Sequence, residues 1–191
     1  MSLGWRNKNF IMKKHFFTII FFTFYIALSA QSKTSFQGKN GLYGVKDENE
    51  KIIVAPKYDN YIFFFRGFAE VVLNDKYGFI DETGKEITQI KYDGVGVFFE
   101  DLALVKLNEK WGFIDKTGKE VIPIQYDYLE NFFEGFAKAD KNGKCGFIDE
   151  TGKELIPLKY DYIGNFKEGF AAIELNGKEG KIDKQGSEYW K

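Results

Sequence analysis

Histidine is all but missing from this chain of 191 residues, where the single copy is His15. Ser-His and Cys-His nucleophilic schemes need an imidazole base, so the body of the chain cannot build one. Zinc sites with histidine ligands are excluded on the same ground. Cysteine is as scarce: Cys145 stands alone, so no disulfide forms within the chain and stability has to come from packing. A lone thiol can react or pair between chains. Cys145, however, occupies a slot that is aromatic elsewhere in the chain, and it is expected to pack as a small hydrophobe. Beyond residue 30 the serines are Ser32, Ser35 and Ser187, which leaves no serine nucleophile in the body of the molecule. No cofactor and no metal site is expected.

Residues 1–30 read as an address label. Met12-Lys13-Lys14 supplies positive charge, Phe16–Leu28 is almost wholly apolar, and the small residues Ala27, Ser29 and Ala30 follow. That order is the signature of a secretory signal peptide, with residues 1–11 upstream of the true start. The apolar run is too short for the ~20 residues that span a bilayer. A retained anchor is the competing reading. No cysteine follows the expected cut near Ala30, which argues against a lipid anchor, and no stable membrane insertion is expected after cleavage. The expected destination is the periplasm of a bacterium or the medium outside it. Four of the 27 basic residues (Arg6, Lys8, Lys13 and Lys14) and none of the 28 acidic ones fall in this segment. The remainder is therefore mildly acidic, and Arg66 is its one guanidinium. Nucleic acid is excluded as a partner, because phosphate binding demands a basic face.

What the chain has in plenty is repetition. An aromatic-Gly position recurs at Tyr43-Gly44, Tyr77-Gly78 and Trp111-Gly112, and continues as Cys145-Gly146 and Glu179-Gly180; each step is 34 residues. Tyr58, Tyr92, Tyr126 and Tyr160 keep the same step, each followed by an aspartate: Asp59, Asp93, Asp127 and Asp161. A fixed period marks a repeat architecture. Paired helices could fill such a period, but each unit holds several turn signals and its apolar residues alternate. Short runs such as GFID and EVIPIQY, rich in aromatic and β-branched residues, read as strands. Asn142-Gly143 and Asn176-Gly177 suit two-residue type I′ hairpins, with Asn74-Asp75 and Asn108-Glu109 as weaker versions. The Asp-x-Thr-Gly runs at 81–84, 115–118 and 149–152 read as turns. Pro123 and Pro157 are expected at a strand edge or bulge.

The expected fold is all-β: an open array of β-hairpin or three-strand repeats, with a closed propeller-like arrangement as the alternative. The expected organisation is a leader over 1–30, a short linker over 31–37 and one β domain of five units over 38–191, the last incomplete. Lys46, Glu179 and Lys181 replace apolar residues in the first and last units, as the polar caps of an open array would.

Trp111-Gly112-Phe113-Ile114-Asp115, with Thr117-Gly118, Val121-Ile122-Pro123 and Tyr126-Asp127, resembles the WG repeat family of bacterial proteins. Phe-x-Glu-Gly-Phe-Ala at 132–137 and again at 166–171 extends the resemblance, which covers roughly 38–186. The departures are Tyr, Cys and Glu in the tryptophan slot. The resemblance implies a β-rich repeat in proteins that are often exported, and it implies no reaction and no catalytic residue.

The expected function is that of an exported, non-catalytic binding or scaffold module. Its partner would be a protein, or a glycan or peptide polymer of the envelope. Tyr58, Tyr92, Tyr126 and Tyr160 are the candidate ligand-binding row, as aromatic platforms beside acidic acceptors; core packing is the competing reading of the same residues. A glycan-directed enzyme working with carboxylates alone and a purely structural spacer are the alternatives. An active site in an array usually breaks its symmetry, and no acid here does.

Overall fold

The computed structural model describes residues 33–99 and 101–191. The expected leader lies outside the described residues. Seventeen strands and no helix make up the described chain, and no helix among the described residues is long and apolar enough to cross a membrane.

The strands form five antiparallel sheets in chain order. The first holds β1 (Thr34–Gln37), β2 (Tyr43–Lys46) and β3 (Ile52–Tyr58), and the second β4 (Phe68–Leu73) and β5 (Lys76–Asp81). The third runs β6 (Gly94–Val95), β7 (Leu102–Leu107), β8 (Lys110–Asp115) and β9 (Glu120–Tyr126). The fourth runs β10 (Tyr128–Leu129), β11 (Phe136–Lys141), β12 (Lys144–Asp149) and β13 (Glu154–Tyr160). The fifth runs β14 (Tyr162–Ile163), β15 (Phe170–Leu175), β16 (Lys178–Asp183) and β17 (Glu188–Trp190). Two features depart from expectation. Residues 34–37, assigned to a linker, form β1 and pair with β2 from Thr34↔Lys46 to Gln37↔Tyr43. Three-strand units gain a fourth, two-residue strand in the third, fourth and fifth sheets. In the second sheet the side chain of Asn60 takes that place, accepting from the Val72 amide at 2.8 Å and donating to the Glu70 carbonyl at 3.2 Å.

The local chemistry follows from the turns. Both residues of Asn74-Asp75, Asn108-Glu109, Asn142-Gly143 and Asn176-Gly177 have positive φ, as type I′ hairpins require. Each Asp-x-Thr-Gly turn is closed by its aspartate: Asp115 Oδ1 accepts from the Thr117 amide, the Thr117 hydroxyl and the Lys119 amide, and Asp81 and Asp149 repeat the pattern. The glycine of the aromatic-Gly pair permits close approach. A Cβ on Gly112 would stand 2.6 Å from the Ile122 carbonyl. Beside it β9 carries a register shift between Tyr126 and Ile122, and Pro123 falls in that bulge.

No sheet buries its own faces; neighbours do it jointly. Four cores are shared by five sheets. Side chains alternate along a strand, so Ile114 enters the core with Phe79, Tyr92, Phe98, Ala103 and Val105, while adjacent Phe113 enters the next with Ile122, Tyr126, Leu129, Ala137 and Ile148. The first and last cores repeat the arrangement around Tyr58 and Tyr160. Among the described residues, substantial contacts between sheets run only between consecutive ones, and the described array does not close. At its two ends stand Lys46, paired with Glu50, and an exposed Lys181 lying 4.1 Å from the Phe170 ring centroid.

Candidate ligand-binding edge

The tyrosine row is the first place to look, and the structure closes it. Tyr58, Tyr92, Tyr126 and Tyr160 are 0–5 % exposed. A buried ring offers no face for stacking, so as ligand platforms they are corrected to core residues. Two of the hydroxyls tie neighbouring sheets: Tyr58 donates to Glu86 Oε1 at 3.0 Å and Tyr160 to Glu188 Oε1 at 2.6 Å. Burial pushes the phenols of Tyr58, Tyr92 and Tyr160 above their ordinary range, and the glutamate contact adds to this at Tyr160.

The aspartates beside them are equally committed. Asp59, Asp93, Asp127 and Asp161 accept from the amides of Asn74, Asn108, Asn142 and Asn176. Each therefore caps the hairpin of the following sheet. Lys76, Lys110 and Lys144 donate to Asp93, Asp127 and Asp161. These lysine contacts, then the asparagine amides, hold the three carboxyls below the usual carboxylate range. Cys145 is buried as expected, its Sγ 3.4 Å from the Tyr160 carbonyl oxygen.

A repeating set of exposed aromatics lies elsewhere, on tight turns that lead into the second strand position of successive units, while Tyr128, Tyr162 and Tyr189 are exposed on β10, β14 and β17. Phe65 pairs with Phe68, Phe99 with Leu102, Phe133 with Phe136 and Lys167 with Phe170. The turn residues between have positive φ at Arg66-Gly67, Glu134-Gly135 and Glu168-Gly169. The result is an alternation: Phe98 is buried while Phe99 is exposed, and Phe132 packs inward while Phe133 is 72 % exposed. Phe63, Tyr61 and Val97 add to the exposed set near the second and third sheets. Arg66 joins its ends, with its guanidinium 5.3 Å from the Phe65 centroid and 5.7 Å from that of Phe99.

Between these turns lie three open clefts with a common floor. Phe68, Phe79 and Phe98 floor the first, of about 240 Å³. Leu102, Phe113 and Phe132 floor the second, of about 220 Å³. Phe136, Phe147 and Phe166 floor the third, of about 360 Å³. The floor rings sit 4.7–5.5 Å apart, within the range of attractive ring pairs. The first two clefts fall below the ~300–1,000 Å³ of pockets that hold a whole cofactor and suit one side chain or one sugar ring, and the third lies at the low end of that range. Among the described residues no group of three or more His, Cys, Asp or Glu is placed to hold a metal ion.

Sequence reasoning missed Phe65, Phe99 and Phe133. The signal was present as Phe-Phe pairs at 64–65, 98–99 and 132–133: in extended chain, one of two adjacent rings must face out.

The model of the WG containing repeat matches the chain four times, over residues 43–77, 77–111, 111–145 and 146–178. No curated protein matches it. Among solved structures, KlHsv2 with loop 6CD replaced by a Gly-Ser linker is similar at 11% identity and a TM-score of 0.42, covering 83% of this chain and 64% of that one. Kluyveromyces lactis Hsv2p is similar at 14% identity and a TM-score of 0.41, with 81% and 59% covered. The extracellular domain of BT4673 from B. thetaiotaomicron is similar at 12% identity and a TM-score of 0.32, with 83% and 30% covered. The chain spans less than two thirds of each of these structures.

Proposed function

The chain belongs to the WG containing repeat family, and from that premise we propose that it is an exported, non-catalytic binding module whose ligand lies along the aromatic edge. The ligand is an extended polymer of the bacterial envelope, glycan or peptide, or a protein partner. One observation carries the reading: Phe65, Phe99 and Phe133 recur at the repeat step, exposed, on turns that flank open aromatic-floored clefts. A surface that repeats suits a ligand that repeats, because weak contacts in successive clefts add through effective concentration. Export is supported by the basic, apolar and small-residue order of residues 12–30. The non-catalytic reading is supported by the lack of any histidine after His15 and by acids that recur instead of standing alone.

Melting the full chain against soluble peptidoglycan fragments, oligosaccharides and envelope peptides tests this, since a ligand of the native state raises the melting temperature. One polymer class should raise it, and Phe99→Ser with Phe133→Ser should abolish the shift without unfolding the protein. A shift untouched by that double substitution moves the site off this edge. No shift across the panel favours the spacer reading.

A further inference from the structure

The repeats permit a comparison of the chain with itself. Phe64, Phe98, Phe132 and Phe166 occupy one repeat position, and Glu82, Lys116, Glu150 and Lys184 another. Where the first and second sheets meet, the ammonium of Lys33 lies 5.7 Å from the Phe64 centroid and 3.2 Å from the Glu82 carboxylate. That lysine side chain is only 7% exposed. Where the fourth and fifth sheets meet, the ammonium of Lys184 lies 5.2 Å from the Phe136 centroid and 5.9 Å from that of Phe166. Its carboxylate partner is Glu134, at 2.8 Å. Two joints of the array thus hold the same constellation: a lysine ammonium over the repeat phenylalanine, balanced by a carboxylate.

The joint between the third and fourth sheets has the rings and the carboxylate without the lysine. Phe132 packs on Phe113 at 4.8 Å. Glu150 stands at the repeat position of Glu82, and Asp101 at that of Lys33. Asp101, Glu134 and Glu150 line this cleft together with Phe99. Asp101 is paired with Lys116 at 2.6 Å and Glu134 with Lys184. The joint between the second and third sheets differs again, since its lysine, Lys116, turns to Asp101 and Arg66 covers the rim.

We propose that the cleft between the third and fourth sheets receives a lysine side chain from a partner polypeptide, its ammonium over Phe132 and against Glu150. The two internal lysines are the template for that occupant. An aromatic face attracts an ammonium, the more so when a carboxylate completes the pairing. The inference rests on the reading of this edge as a binding surface and names the partner chemistry of one of its clefts.

The test titrates the full chain with an oligolysine peptide and with its Nε-acetylated counterpart, by calorimetry at low and moderate salt. The lysine peptide should bind, weaken with salt, and lose on the order of tenfold or more in affinity on acetylation. Glu150→Lys places in this cleft the ammonium that Lys184 supplies in the next, and Glu150 is exposed, so the fold tolerates it. That variant should keep its melting temperature and lose the peptide by a similar factor; Glu150→Gln should lose less. Equal binding by the Glu150→Lys variant, equal binding of the acetylated peptide, or no binding of oligolysine by the native chain overturns the inference. The wider reading stands or falls separately, on whether the polymer panel gives a shift that the Phe99 and Phe133 substitutions remove.

Discussion

Exposure separates two sets of aromatic residues that look alike at the residue scale. Tyr126 and Phe133 both recur at the repeat step, yet one is 5% exposed and the other 72%. Truncating a buried ring loses transfer energy and leaves a cavity, at a cost of about 3–5 kcal/mol. Tyr126→Ala is therefore expected to lower stability by that amount in denaturant melts, and Phe133→Ala by less than about 0.5 kcal/mol. Tyr58, Tyr92 and Tyr160 add a spectroscopic check. Their phenols are raised by burial, so the folded state holds these protons and loses that stabilisation only as pH climbs above the ordinary tyrosine value of about 10. Phenolate absorbance should show these tyrosines ionising together with alkaline unfolding. The tyrosine set was legible in the sequence as periodic aromatics, whereas Phe65, Phe99 and Phe133 were overlooked beside Phe64, Phe98 and Phe132. Which set faced inward was not legible, because the hydroxyl partners of Tyr58 and Tyr160 lie in the next sheet, 28 residues on.

At the scale of elements the turns decide. Gly118 and Gly135 both have positive φ, yet a Cβ on Gly118 would stand 2.2 Å from the Ile87 carbonyl of the preceding sheet, while one on Gly135 meets nothing within 4 Å. Gly135→Ala should cost only the left-handed penalty of about 1–2 kcal/mol. Gly118→Ala should cost clearly more, because it also pries two sheets apart, and parallel denaturant melts would read the difference. The hairpin caps make a pH prediction. Asp93, Asp127 and Asp161 are held low by lysine and asparagine donors. A depressed carboxyl stabilises the fold above its unfolded value near 3.9 and loses that contribution as pH falls through the folded one. Asp127→Asn should melt earlier than the native chain at neutral pH, and the two curves should converge below about pH 4. The hairpins were legible because Asn-Gly and Asp-x-Thr-Gly carry their own turn chemistry. The strands β6, β10 and β14 were not: two residues are too few to show alternation. Neither was β1, which falls in the segment assigned to a linker, just before the first glycine-rich turn.

Among the described residues the molecule is a stack in which each sheet packs on its neighbours in the chain. Its openness was legible in three polar residues, Lys46, Glu179 and Lys181, standing where inner units carry Ile, aromatic or Cys, and Phe. The row of clefts on one edge was not, because a cleft is made by two units and the sequence writes one at a time. In such an array, stability is close to a sum of unit and interface contributions. Inserting one more copy of residues 111–144 after position 144 is the most direct test of this architecture. The open stack predicts a folded chain with a steeper denaturant dependence and a higher midpoint, since one unit and one interface are added. A lower midpoint or a misfolded product would mean that the ends must meet, and would contradict the open array on which the edge and its clefts depend.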